Sequence, residues 1–507
     1  MVASGKFVEL AQFQIDPESV ALLPKDFCEK WSCVILSTVH RNNLAQPVTI
    51  GMLDPEDPKL IGEITKRLGG RRVNPVQLNA FEIRQALARG YGTAVEDDRS
   101  KPLVTLSALR RISFVPDQSP AAIVDDMLSE AVRLRANDVH IEIYKDDIDL
   151  RFRVDGVLRQ VTTPLSPENV KKVVSRIKVL CSLDIAEKKQ PQDGRFAAIY
   201  EDEHGGTRPV NFRVATLPGP HGEDCVLRVL DAGKGRLTLE QLGLSPTTYH
   251  VLKTLLRCPS GLVLVSGPTG SGKTTTLYAA LLEIGGPDVK CLTVEDPIEY
   301  EVTKVNQRGV TDDIGFAAYA RAFLRQDPDT IMIGEIRDEE TASVALRAAN
   351  TGHLVLSTIH TQDAVAAVSR LRALGIDDEL TSTVLLGVVS QRLVRKVCPQ
   401  CRVQYAPSAE TIVRFYQDDP GHSFVKGAGC EACGGTGYRG QLGLFEVFVL
   451  DDAIQASIAS HATLDEIRRR AKERGFVPLV EEALERVRAG VTSLEEVERT
   501  VRPLYLV

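Results

Sequence analysis

Apolar residues along this chain recur in two rhythms. In KLIGEITKRLGG, AAIVDDMLSEAVRLRAN, DEIRRRAKERG and LVEEALERVRAG they return every three to four positions, the spacing that lines one face of a helix. Three of these four segments stop at glycine, as helices commonly do. Elsewhere the rhythm is that of a strand. DVHIEIY and DLRFRVDG alternate apolar and polar residues and predict a hairpin, and FAAIY, VNFRVAT and CVLRVLD continue the pattern. CVILST and VTIGMLDP predict strands nearer the start, with KLIGEITKRLGG and NAFEIRQALARGYG as helices after them. From about residue 247 short apolar runs alternate with helical segments in the βαβ manner, which implies a mostly parallel sheet.

These rhythms divide the chain into a small α/β module over 1–100, a second α/β domain over 119–232, a βαβ domain over 241–395, a cysteine-bearing module over 396–440 and a helical region over 441–507. The polar AVEDDRSKP at 94–102 and the stretch to about 118 read as a linker, and AGKGRLTLEQLGLSP at 232–246 as a second junction in which Gly233 and Gly235 could act as hinges. A hydrophobic fraction of 43% and a charged fraction of 25% exclude disordered and fibrous classes. The balance of 61 basic against 68 acidic residues gives −7, which provides no general field for a polyanion, so no nucleic-acid partner is expected. Apolar runs such as GLVLV are far below the ~20 residues of a membrane span, and no secretory signal is visible, so the expected place of work is the cytoplasm, with peripheral membrane contact only.

The chemistry begins at GPTGSGKT. Gly267, Pro268, Thr269, Gly270, Ser271, Gly272, Lys273 and Thr274, followed by Thr275, fit the phosphate-binding loop pattern between a buried strand, GLVLVS, and a helix, KTTTLYAALLEI. Its glycines let backbone N–H groups turn onto phosphates, Lys273 brings a charge to the β/γ oxygens, and the Thr274 hydroxyl suits Mg²⁺, so ATP with Mg²⁺ is the expected ligand. Glu295 and Asp296 end the apolar run CLTV, and Glu335 follows the apolar run of TIMIGEIRD. Parallel strands place such ends on one edge beside the loop, where one acid serves the metal and another the attacking water. HLVLSTIHT carries a histidine at each end; His360 shares that edge and suits a γ-phosphate sensor, while His353 suits a structural role.

Cys398, Cys401, Cys430 and Cys433 form two CxxC pairs, the spacing of a closed structural Zn²⁺ site; paired redox dithiols are the alternative. The six other cysteines are scattered singly and read as reduced packing residues.

Together, GLVLVSGPTGSGKTTTLYAAL, LTVEDPIEYE, FLRQDPDTIMIGEIRDEETA and TGHLVLSTIHTQDA resemble, in order, the Walker A, aspartate-box, Walker B and histidine-box motifs of the secretion ATPases that drive type II secretion and type IV pilus assembly. The resemblance extends through ANDVHIEIYKDDIDLRFRVDGVL, KKQPQDGRF and GEDCVLRVLD upstream and through the cysteine pairs downstream. It implies a RecA-like P-loop ATPase core with a PAS-like α/β N-terminal domain, a small α/β leading domain, a zinc module and C-terminal helices. It also implies a homo-hexamer docked on cytoplasmic domains of inner-membrane platform proteins. In that family Glu295 would be the catalytic carboxylate, Glu335 the Walker B acid and His360 part of the phosphate-sensing box, with Arg195, Arg213 and Arg228 facing the nucleotide. Gln362 stands where that family's histidine box has asparagine, and Asn137 where serine is common. A nucleic-acid translocase and a nucleotide-binding scaffold without turnover are the competing classes; the acidic net charge weighs against the first and the paired acids against the second.

Overall fold

The computed structural model describes residues 13–91, 104–231 and 237–501, apart from 14, 32, 40–45, 53, 54, 56, 79–82, 84, 85, 88–90, 113–117, 163, 312 and 417–419. The linker stretch 94–102, most of NAFEIRQALARGYG and the hinge glycines Gly233 and Gly235 lie outside the described residues. The chain divides into one unit up to Leu103 and another from Val104.

In the first unit, Val48–Met52 is the middle strand of a three-stranded sheet, antiparallel to Cys33–Ile35 and parallel to Val73–Gln77. Helix Pro58–Arg67 starts where the Asp57 side chain accepts the N–H groups of Lys59 and Leu60, and it buries Leu60 and Ile64.

The second unit holds two seven-stranded sheets and a two-stranded one. The first runs in the order Val104–Ser107, Gln192–Glu201, Thr207–Pro218, Glu223–Asp231, Ala136–Ile143, Ile148–Val154, Val157–Val161. The hairpin expected at DVHIEIY and DLRFRVDG is present as the antiparallel pair 136–143 and 148–154. Phe196, Phe212, Cys225 and Leu227 point to one face, where they join helices Pro120–Arg133 and Val170–Leu180 in a common core. Strand alternation then sends Arg195, Arg213 and Arg228 to the other face. One expectation changes here. Val104–Ser107, inside the stretch read as a linker, is the edge strand of this sheet and pairs parallel with 192–201. Four residues are too few to show a period, and the strand is fixed by burying Val104 and Leu106 against distant partners.

The second sheet runs Val305–Gly309, Cys291–Glu295, Thr330–Ile333, Leu354–Ile359, Gly261–Ser266, Leu385–Val397, Tyr438–Val449. All neighbours are parallel except the last pair. The central strands Gly261–Ser266, Cys291–Glu295, Thr330–Ile333 and Leu354–Ile359 are buried at every position, as strands covered on both faces must be. The structure corrects a second expectation. Tyr438–Val449 begins inside the cysteine module and completes this sheet, so residues 441–507 open with a strand before their helices Asp452–Ala459, Leu464–Glu473, Leu479–Arg488 and Leu494–Thr500. Its partner Leu385–Val397 likewise continues past residue 395. The two strands together carry the sheet into the module.

Candidate nucleotide site

Residues 267–272 join strand Gly261–Ser266 to helix Lys273–Ile284, and three glycines shape the bend, with φ of 145° at Gly267, 77° at Gly270 and 89° at Gly272. A Cβ at Gly267 would lie 2.6 Å from the main-chain oxygen of Gln391, so only glycine fits against the neighbouring strand. Lys273 is the first helical residue, and its Nζ donates to the carbonyl oxygens of Gly267 and Pro268 at 2.9 and 3.0 Å. Burial holds its pKa below the ordinary lysine value, against the pull of the nearby Glu335 carboxylate. Pro268, Thr269, Gly270 and Thr274 are exposed, Thr275 is half-buried and Ser271 is buried. The loop leans on Gln391, whose Nε2 donates to the Ser271 carbonyl at 2.6 Å while its Oε1 accepts from Thr276 Oγ1 at 2.7 Å.

The strand ends deliver the acids to the same edge. Glu335 is half-buried, forms an ion pair with Arg337, and has Oε2 3.6 Å from His360 Nε2. Burial and the Lys273 charge push the His360 pKa below the ordinary histidine value, outweighing Glu335, so the ring is neutral at neutral pH. Lys273, Glu335, Arg337 and His360 therefore form one electrostatic cluster.

Glu295 is placed differently. It is 3% exposed, and its oxygens accept from Thr293 Oγ1 at 2.6 Å, Gln307 Nε2 at 3.0 Å and the Tyr278 hydroxyl. Asp296, the next residue, is exposed. His353 lies at the start of its strand, with Nδ1 3.0 Å from the Ala348 carbonyl and its own carbonyl accepting from Gly261, away from the loop.

Arg195, Arg213 and Arg228 are register partners on three adjacent strands of the first sheet and so stand side by side. Arg213 Nη2 donates to the carbonyl of Ile298, in the segment just after Glu295 and Asp296, at 3.4 Å. Arg228 pairs with Asp138 at 3.1 Å, and Asp138 also takes Arg153 at 3.4 Å. Arg195 is exposed. The row thus reaches the acid-bearing edge through Arg213.

The four cysteines converge. All four Sγ atoms lie within 4.8 Å of one another, with separations of 3.9 Å for Cys398–Cys430 and Cys401–Cys433 and 3.7 Å for Cys430–Cys433. A tetrahedral site with Zn–S bonds of about 2.3 Å has edges of about 3.8 Å, so the set fits a Zn²⁺ ion. None is in a disulfide. Main-chain N–H groups of Cys430 and Gly437 donate to Cys433 Sγ, and that of Gly429 donates to Cys401 Sγ. Burial works against a thiolate at Cys433, yet the N–H groups of Cys430 and Gly437, with the neighbouring Cys430 and Cys401 thiols, bring its pKa down to about 6.

The sequence pattern pointed to the loop, both acids and the histidine, but not to the residues bonded to them: Tyr278, Thr293, Gln307, Arg337 and Gln391. Arg337, two positions after Glu335 in GEIRD, and Thr293, two before Glu295 in CLTVE, lie close enough in sequence to have been flagged.

A phosphate-binding loop between a buried parallel strand and its helix, with acids on neighbouring strand ends, defines a RecA-like P-loop ATPase. Solved structures with this fold include the pilus retraction motor PilT with bound ADP, at a TM-score of 0.50 and 26% identity over 74% of this chain and 95% of that one. The ATPase DotB of Legionella pneumophila shares it at a TM-score of 0.55 and 22% identity over 77% of this chain and 98% of that one. Residues 116–499 match the family described as Type II/IV secretion system protein, and residues 6–97 match the MshEN domain. The chain belongs to the type II/IV secretion system protein family, as one of its ATPases. It is 44% identical to the type II secretion system ATPase E of Vibrio cholerae over 503 residues, covering 96% of this chain and 97% of that protein. It is 38% identical to the type IV pilus assembly ATPase PilB of Thermus thermophilus over 494 residues, 95% of this chain, and spans about half, 54%, of that protein's length.

Proposed function

We propose that this chain is a homo-hexameric motor that hydrolyses ATP and drives type II secretion or type IV pilus assembly, working peripherally on the cytoplasmic parts of inner-membrane platform proteins. The observation that carries this reading is the 44% identity to the Vibrio cholerae ATPase along nearly the whole of both chains. No helix among the described residues is long and apolar enough to cross a membrane.

In this reading the loop N–H groups and Lys273 bind the β- and γ-phosphates. The Thr274 hydroxyl and Glu335 hold Mg²⁺, which when bound neutralises charge on the transferring phosphoryl group. Glu295, fixed by three donors, orients and deprotonates the attacking water, and His360 reads the presence of the γ-phosphate. The arginine row, with its planar forks, meets the phosphates as the first sheet closes on the site. The cysteine module holds Zn²⁺ as a closed structural site.

The test is Mg²⁺-dependent turnover of the full chain. Lys273→Ala should lower turnover on the order of 10²-fold or more and weaken nucleotide binding. Glu335→Gln should leave nucleotide bound but unhydrolysed. Wild-type turnover in either variant overturns the assignment, and light scattering that finds only monomers with nucleotide present overturns the hexamer.

A further inference from the structure

The segment after His360 is tied from three directions by residues outside the nucleotide motifs. Arg392, on the strand beside the phosphate loop, donates through Nη2 to the Gln362 carbonyl at 2.8 Å and through Nη1 to the Gln391 carbonyl at 3.0 Å. Arg468, on helix Leu464–Glu473, donates to Asp363 Oδ2 at 2.9 Å, while Asp363 Oδ1 accepts the N–H of Ala366 at 2.7 Å. Glu446, on the last strand of the sheet, is 4% exposed. Its Oε1 accepts the N–H of Ala364 at 2.6 Å and its Oε2 that of Leu479 at 2.7 Å.

Leu479 is the first residue of helix Leu479–Arg488, and its N–H is one of the groups a helix start leaves without an internal partner. Helix Ala366–Ala373 begins two residues after Ala364. One buried carboxylate therefore bridges the starts of two helices, where backbone dipoles favour negative charge. Burying a carboxylate is costly unless it is fully bonded, and simple packing at this position would be met by an apolar residue. The geometry instead joins the phosphate-facing loop to a C-terminal helix through a single side chain.

We infer that Glu446 is a positioning residue of the nucleotide reaction, which locks the His360–Ala364 loop to helix Leu479–Arg488 so that the two shift together when the γ-phosphate is lost. Arg468 fastens the same loop to the preceding helix. The C-terminal helices are then a readout of the nucleotide state rather than a passive cover. This inference rests on the nucleotide-site reading above.

The experiment uses the full chain and three measurements: turnover, equilibrium binding of a fluorescent ADP, and amide hydrogen exchange over 361–366 and 479–488 with ADP, with a slowly hydrolysed ATP analogue, and without nucleotide. In the wild type, protection in both segments should follow the nucleotide. In Glu446→Gln the new amide N–H₂ faces a backbone N–H, so one tie is lost. ADP affinity and KM should hold while kcat falls on the order of 10²-fold, as misplacement of a reacting group by about 1 Å does. Protection over 479–488 should then no longer follow the nucleotide. A kcat close to wild type, or wild-type protection over 479–488 that ignores nucleotide, overturns the inference. If Glu446→Gln fails to fold, the partly exposed Arg468 decides: Arg468→Ala should lower kcat at an unchanged melting temperature, and an unchanged kcat overturns the inference. Wild-type protein that binds no ADP would overturn the nucleotide-site reading itself, whereas binding with no link to 479–488 overturns only this step.

Discussion

The hydroxyl of Tyr278 donates to a carboxylate that already takes hydrogen bonds from Thr293 and Gln307, and burial together with that bond pushes the phenol well above its ordinary pKa. It therefore remains a donor throughout the working pH range. Its ring meets Tyr300 edge-on at 4.5 Å, a contact that phenylalanine keeps. Tyr278→Phe removes one donor from Glu295 and, with it, the acceptor of the Glu299 N–H at 3.3 Å and of Gln307 Nε2 at 3.4 Å. It should cost about 1–3 kcal/mol of stability by denaturant titration, the price of an under-satisfied buried acceptor. Turnover should fall as the carboxylate loses its fixed aim, with ADP affinity unchanged. A variant equal to wild type in both would show that Glu295 is held without Tyr278. The loop, the acids and the histidine were legible because each is announced by neighbours in sequence. Tyr278 and Gln391 were not. Gln391 meets Thr276 and Ser271 across 115 and 120 positions, and neutral side chains on inward faces read as ordinary core.

The cysteine module shows the same limit among elements. Two CxxC pairs announce a metal cluster because ligand spacing is local. The strand Tyr438–Val449 that leaves the module was hidden behind a glycine-rich turn, and Val104–Ser107 was too short to show a period. Within the module, Cys398 N–H donates to the Gly437 carbonyl at 2.8 Å, and a Cβ at Gly427 would lie 1.9 Å from that same oxygen. The backbone is thus folded tightly on itself around four sulfurs, and metal binding supplies folding free energy in such a place. Purified protein should contain about one zinc per chain by elemental analysis. Cys430→Ser should remove it and lower the melting temperature, with faster hydrogen exchange concentrated in 396–440 and ADP binding retained. Metal-free protein of full stability would show that the cysteines pack without an ion.

At the scale of the whole second unit, hydrogen bonds between described residues that join the sheets include Arg213 Nη2 to the Ile298 carbonyl at 3.4 Å and the Gly440 N–H to Asp155 Oδ2 at 2.9 Å. The first touches the segment after Glu295, and the second touches the edge of the cysteine module. An active site completed by a swinging sheet couples binding to movement. Arg213→Ala should then lower turnover on the order of 10³-fold at saturating ATP and fixed oligomeric state, the loss expected of a phosphate-stabilising arginine. Unchanged turnover with the assembly intact would reduce the first sheet to an adaptor. The row itself carries a further consequence. Arg195, Arg213 and Arg228 occupy one register on neighbouring strands, which lie about 4.8 Å apart, so three like charges stand close together, the one on Arg228 balanced by Asp138. A polyphosphate that settled on the row would relieve the repulsion that remains and favour a tighter packing of the strands. By thermodynamic reciprocity, a partner whose binding tightened the strands would raise affinity for the polyphosphate by the factor by which the polyphosphate raised affinity for that partner. In the proposed motor, a partner bound at this sheet would thereby set when the chain takes up its fuel.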